Sequence, residues 1–281
     1  MTFIETVLST PLYQKALVAG GLTGICCACL SPLVVLKRMA FVGDGIAHAS
    51  YGGMGLALFM LSGSGYYSLE VQFVTIAYAL AIGAVLGYVT RRPDGAEKLG
   101  EDSFIGIAFS VSMALGALLI KLRYNRSPQV IPSIDNFLFG SLLNIGAADV
   151  IMISAALLAV LLLLVLMNKE LLFYAFDARL AEISGVRSGL IHYVFIMLLV
   201  LTVTVSSRVV GIVLVSSSLI VPGAVALKVC KRLAPAMAFA ALIGFLSFEL
   251  GAYASFALNV PPGSAIVLIQ FVFLLLVPLF K

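Results

Sequence analysis

Asp44 and His48 lie four residues apart in "FVGDGIAHASYGGMG", residues 41–55, a stretch otherwise made of apolar and small residues. On a helix, positions i and i+4 share one face, so Asp44 and His48 begin a stripe that Tyr51 and Gly55 continue, polar below and open above. A carboxylate and an imidazole together suit divalent Zn, Mn or Fe. One of each is too few for a closed site, but two copies of the chain about a twofold axis would bring two of each. Transport needs weak or incomplete binding, so a sparse site is suitable for it. Two plainer roles stay open on spacing alone. Asp44 follows Gly43 and could cap a helix N-terminus, and His48 could be a core histidine bonded to a backbone carbonyl.

The elements that carry this stripe are set by composition. Of 281 residues, 62% are hydrophobic and 11% charged, against roughly 25% charged in a soluble domain, and the mean hydropathy is +1.15. Such a chain cannot hide its apolar surface in water. Continuous runs of about 20 apolar residues favour membrane-crossing helices over a barrel's short alternating strands. They fall near 15–36, 40–61, 69–90, 103–121, 148–168, 189–207, 209–227, 234–256 and 264–280. The expected fold is an all-α polytopic bundle of eight to nine transmembrane helices in one domain, residues 1–281. The first run, without a basic start or a cleavage pattern, reads as a retained span.

Lys37 and Arg38, the 91–98 cations, Lys169, Arg179, Arg187, Lys228, Lys231, Arg232 and Lys281 fall in alternate linkers, hence on one side. The positive-inside rule makes that side the cytoplasm, with the N-terminus outside and the C-terminus inside. The same rule accounts for the net charge of +4 without nucleic acid. The junction "SSRVVG" at 206–211 leaves almost no loop, so a broken span or short outer helix is expected there. Segment 122–147, with two prolines and then an apolar patch, is expected to hold a short interfacial helix. Gly20/Gly24 and Gly83/Gly87 allow close helix packing.

Of thirteen acidic residues, only Asp44 and Glu249 fall well inside the apolar runs. Ionisable groups there are costly and usually face a pathway or a partner. Enzyme signatures are missing: no GxxxxGK[ST], HExxH, GxSxG or cysteine-rich zinc pattern occurs. An intramembrane protease would need two activating carboxylates or a metal with about three protein ligands, and the chain has two histidines.

"KRMAFVGDGIAHA" resembles the signature of the permeases of metal-uptake ABC transporters, the zinc/manganese/iron type. "EDSFIGIAFS" (101–110), "IDNFLFGSLL" (134–143), "FDARLAEISGV" (176–186), "RVVGIVLVSSSLIVPGAVA" (208–226) and "VPPGSAIVLI" (260–269) fit the same family in the same order. The resemblance implies an inner-membrane importer subunit, not itself an enzyme. It implies a second permease copy or paralogue, a separate cytoplasmic ATP-binding subunit and an extracytoplasmic metal-binding protein. Asp44 and His48 match the family's metal-path pair, with Tyr51 and Glu249 as further pathway candidates. No cofactor is implied; the metal is cargo and ATP binds the partner. Ala47, where the family often has Ser, and Gly52, where it often has Pro, depart from the pattern and bear on metal preference.

Two cytoplasmic segments are candidates for coupling to the ATPase. One is 174–187, with Phe176, Asp177, Ala181 and Gly185. The other, slightly favoured by analogy with vitamin-B12-type importers, is 226–236, with Lys228, Lys231 and Arg232. Glu249 could attract cations near an outer gate or bond a neighbouring helix. Cys26 and Cys29 share a helix face and are read as packing residues before thiolate ligands. His192 is read as a packing residue. Asp135 and Asp149 could shape a docking surface or cap helices. A gradient-driven secondary transporter, an intramembrane enzyme and a non-transporting scaffold are the rival classes. Protonation of His48 would remove its metal-binding lone pair, so uptake is expected to fall below about pH 6. Flux into reconstituted vesicles across about pH 5–8 tests this, and a flat profile removes His48 from the ligand set.

Overall fold

The computed structural model describes residues 9–61, 65, 68–90, 101–126, 134–140, 145–176 and 187–277. These residues are nearly all helical, with no strand among them. In chain order the helices are α1 (Pro11–Leu36), α2 (Ala40–Met60), α3 (Leu69–Val89), α4 (Glu101–Arg126), α5 (Ile134–Phe139) and α6 (Ala147–Leu166). They continue with α7 (Asn168–Phe176), α8 (Ser188–Val210), α9 (Ile212–Ser218), α10 (Val221–Val229), α11 (Leu233–Leu258) and α12 (Pro262–Leu276).

Among the described residues, seven stretches are long and apolar enough to cross a membrane: Pro11–Leu36, Leu69–Val89, Ser103–Arg126, Ala147–Leu166, Ser188–Val210, Ile212–Val229 and Leu233–Leu258. Two of the nine expected runs differ. α12 has 15 described residues, fewer than the roughly 20 a perpendicular span needs. α2 is long enough at 21 residues, but Asp44, His48, Ser50 and five glycines dilute its apolar character. Lipid does not surround α2. α3, α4, α8 and α9 pack against it, and its residues from Val42 to Leu58 are mostly buried.

α1 and α8 share the centre with α2. α8 packs on α1, α2, α3 and α6, whereas α4 and α6 expose most of their surface. The small-residue pairs act in packing, as expected. A Cβ on Gly24 would come within 2.7 Å of the Gly244 carbonyl oxygen of α11, and Gly20 lies under the Phe248 ring. These contacts run α11 antiparallel to α1. Gly83 and Gly87 meet Val200 and Tyr193 of α8.

The expected broken span is present. Gly211, at φ +83°, turns the chain from α8 into α9. A Cβ there would collide with the backbone of Phe139 and Gly140, so only glycine fits. The path breaks again at Leu219–Ile220 before α10 begins with Pro222 in its first turn. The expected short helix in 122–147 is α5, and its Phe137 is buried.

The connection that aims α2 is only three residues long. Met39 N–H bonds the Val34 carbonyl (2.9 Å) and Arg38 N–H the Val35 carbonyl (3.1 Å), a Schellman end to α1. It places Arg38 at φ 56°.

At the far end of the bundle two arginines are buried. Arg123 Nη1 donates to the Leu58 carbonyl at 2.8 Å. Arg208 Nε lies 2.8 Å from Asp149 Oδ1, and its Nη1 donates to Ser68 O and Gln72 Oε1. Asp149 Oδ2 accepts the Gly146 N–H, so Asp149 is a buried cap and ion-pair partner and not a docking-surface residue. The side chain of Asp135 lies outside the described residues. Removing one member of a buried pair leaves an uncompensated charge and costs about 3–5 kcal/mol. Asp149→Ala is therefore expected to lower the thermal stability of the purified protein by that order. The charge-free double variant Asp149→Leu/Arg208→Met should recover most of the loss in the same melt.

Candidate metal site

α2 starts at Ala40 with Met39 as its cap residue, so Asp44 is inside the helix and does not cap it. At 1.5 Å per residue, Asp44 and His48 stand about 6 and 12 Å along α2. His48 Nε2 is 3.7 Å from Asp44 Oδ1. The His48 ring stands edge-on to Phe109 of α4, with centroids 4.4 Å apart, and its Nδ1 is buried with no hydrogen-bond partner among the described residues. A core histidine tied to a backbone carbonyl would look different. The Asp44 side chain is 47% exposed and that of His48 16%. Asp44 Oδ1 also accepts a hydrogen bond from Ser216 Oγ of α9 at 2.8 Å.

The upper half of the expected stripe is closed. Glycine lets α4 approach until a Cβ on Gly52 would sit 2.7 Å from Ser112 O, and one on Gly55 2.6 Å from Gly116. Tyr51 is buried in this seam, its ring 4.9 Å from that of Phe137. The structure therefore joins Asp44 with His48 and turns Tyr51 away into packing. Glu249 is separate as well. α11 packs chiefly on α1, α10 and α12, and Glu249 Oε1 lies over Gly21 of α1.

No group of three or more His, Cys, Asp or Glu gathers among the described residues. Among the described residues the candidate site is thus an Asp–His pair. Cys26 Sγ faces Thr202 of α8 and Cys27 Sγ faces Ser206, and Cys29 is buried too. These thiols are packing residues.

Residues 9–281 match the ABC 3 transport family. The chain belongs to that family. It is 33% identical over 267 residues to a manganese transport system membrane protein, MntC, of Halalkalibacterium halodurans, covering 95% of this chain and 86% of the relative. It is 30% identical over 274 residues to the chelated iron transport system membrane protein YfeD of Yersinia pestis, covering 97% and 86%. The structure of PsaBC from Streptococcus pneumoniae in complex with Fab superposes with a TM-score of 0.83 at 28% identity, covering 98% of this chain and 94% of that one. The chain is therefore a multi-pass metal-type ABC transporter permease, a membrane subunit that is not itself an enzyme.

In this ABC 3 permease the expected coupling residues divide. Phe176 ends α7, 68% exposed; Asp177, Ala181 and Gly185 lie outside the described residues. Lys228, Lys231 and Arg232 are exposed where α10 gives way to α11. The antiparallel pairing of α11 with α1 puts the start of α11 at the same end as Lys37. α7 joins that end: Lys37 Nζ donates to the Tyr174 carbonyl at 2.9 Å and stands 3.9 Å over the Tyr174 ring.

His192 ties the same end together. Thr90 Oγ1 gives its proton to the Leu86 carbonyl at 2.8 Å. It then accepts from His192 Nε2 at 2.9 Å, while His192 Nδ1 accepts the Tyr174 hydroxyl at 2.6 Å. The network assigns the Nε2–H tautomer. With both nitrogens engaged, His192 holds α3, α7 and α8 together and has no lone pair for a metal.

Sequence reasoning missed Ser216 and Gln270. The only trace is compositional: three serines interrupt the 209–227 run, and Gln270 is the one polar side chain in the last run after Ser264. His192→Leu is expected to lower stability by about 1–3 kcal/mol for the buried groups left unpaired. Thermal melts check this.

Proposed function

We propose that this permease imports a divalent metal ion, Mn2+, Zn2+ or Fe2+, across a bacterial-type cytoplasmic membrane by alternating access. The observation that carries this is the half-open Asp44–His48 pair on α2, in a chain of the metal-type ABC permease class. Each chain supplies one carboxylate and one imidazole, and two copies, or one copy and a paralogue, complete the path at their shared axis. There the four side chains replace part of the ion's hydration shell. An extracytoplasmic metal-binding protein delivers the ion, and a cytoplasmic ATP-binding subunit drives the change of access. The manganese and chelated-iron relatives support this cargo class. Glu249, half-buried on α11, would draw cations toward the outer entrance.

The whole chain forms one permease domain crossing eight or nine times, with the N-terminus outside. α2 and α12 add to the seven long apolar stretches. The exposed Lys228, Lys231 and Arg232, with Phe176 and the Asp177–Gly185 segment, then meet the ATP-binding subunit inside.

The test uses the permease assembled with its ATP-binding subunit and binding protein in proteoliposomes. Uptake of Mn2+ should require ATP, and Asp44→Ala and His48→Ala should each abolish it while the complex still assembles. Uptake without ATP or partners would instead establish a gradient-driven carrier. Wild-type uptake in both variants would leave the pair without a role in the path.

A further inference from the structure

We infer that Ser216 is a positioning residue for the metal ligand Asp44, and that Gln270 locks the short helix that carries it. The inference rests on the metal-path reading of Asp44. α9 is seven residues long, far too short to hold its own shape, and both its ends are breaks: Gly211 at φ +83° and the Leu219–Ile220 turn. Something outside α9 must fix it. Its three consecutive serines do so in two directions.

Toward the site, Ser216 Oγ donates to Asp44 Oδ1 at 2.8 Å, the same oxygen that faces His48 Nε2. Away from the site, Ser217 Oγ donates to Gln270 Oε1 at 2.5 Å, and Gln270 Nε2 donates to Ser218 Oγ at 2.8 Å. Gln270 is 1% exposed, so its amide has no water to turn to. Both of its polar atoms are committed to α9. Below the site, Leu219, the residue that ends α9, packs over Gly43, its Cδ1 3.0 Å from where a Cβ would sit.

The consequence is chemical. A carboxylate with one oxygen held by a hydroxyl cannot rotate freely, and it presents its other oxygen as a directed, single donor. It also keeps its orientation when the ion leaves, which favours repeated loading over collapse onto His48. Outer-shell partners of this kind set ligand direction and basicity, and their loss costs about 10–100-fold in metal affinity.

Mn2+ binding to the purified permease–ATP-binding-subunit complex, with no binding protein present, is read from loss of the free-ion EPR signal. Ser216→Ala should weaken binding by about 10–100-fold. Ser216→Thr, which keeps the hydroxyl, should restore most of the affinity, and Gln270→Leu should weaken binding in the same direction as Ser216→Ala. Because folding loss could imitate this, each variant is compared by melting temperature. A lower melting temperature with unchanged Mn2+ affinity in Ser216→Ala overturns the inference, as does Ser216→Thr behaving like Ser216→Ala. Asp44→Ala separates the two ideas. If it loses Mn2+ while Ser216→Ala does not, the metal site stands and the positioning role falls. If Asp44→Ala binds Mn2+ normally, the metal-path reading falls and the inference falls with it.

Discussion

A carboxylate inside a membrane-spanning bundle must be held by something other than bulk water, and the surroundings of Asp44 follow from that constraint. An isolated charge moved into low dielectric costs several kcal/mol even after relaxation. Three features offset that here. A serine hydroxyl bonds one oxygen, an imidazole lies within ion-pair distance of it, and half of the side chain is left open. The open half is what sets this carboxylate apart. A fully satisfied carboxylate would be a structural residue, as Asp149 is with its backbone cap and its arginine. The two acids share one fold and differ in whether the protein completes their coordination. Asp149 is completed within the chain, while Asp44 is left for something else to complete.

The helix that carries Asp44 is shaped by the same demand. α2 is the long helix least suited to lipid, and the bundle takes lipid's place around it. Five glycines make this possible, because each removes the side chain that would keep a neighbour at ordinary distance. Gly45, Gly52 and Gly55 admit α4, Gly53 admits α3 and Gly43 admits the Leu219 side chain just after α9. Close backbone approach replaces the apolar burial that a Leu-rich helix would use, as in membrane helix packing generally. It also fixes the azimuth of α2. With α4 pressed along one side, Tyr51 has no open face to occupy and is driven into the α2–α4–α5 seam, while Asp44 and His48, in the first half of the helix, keep part of their side chains open.

What was legible in the sequence divides along physical lines. Hydropathy showed where apolar helices lie, because lipid exposure is paid residue by residue and leaves a local trace. Helical period put Asp44 and His48 on one face, because i and i+4 geometry is local as well. Period says nothing about which neighbour a face meets. Nothing in 44–55 indicated that Tyr51 would be enclosed by α4, since that depends on glycines being filled from a partner 60 residues away. The serines at 216–218 read as ordinary polar residues in an apolar run until α9 placed Ser216 on Asp44, 172 residues away. Likewise Arg208 and Asp149 looked like surface charges at span ends, and only the fold shows that they meet. The break at 211 was visible because glycine and a missing loop are local signals, whereas the break at 219–220 needed the structure.

The two ends of the bundle are built differently, and the difference bears on how the site could be moved. The Arg208 end is tied by a buried charge pair and by arginine bonds to backbone carbonyls, which resist displacement because any opening strands a charge. The Lys37 end is tied by neutral and singly charged links, Thr90–His192–Tyr174 and Lys37–Tyr174, and carries exposed cations at 228–232. Between the ends, α9 and α10 are short pieces joined by turns, with the Gly223 N–H held by Ser31 Oγ of α1. A rigid 23-residue helix such as α8 can only tilt as a unit. A segmented path can shift one piece while its neighbours stay, because the turns absorb the backbone change. The piece nearest Asp44 is the shortest of them that touches α2, so a displacement at the α10–α11 junction needs to re-aim only seven residues to change what the carboxylate faces.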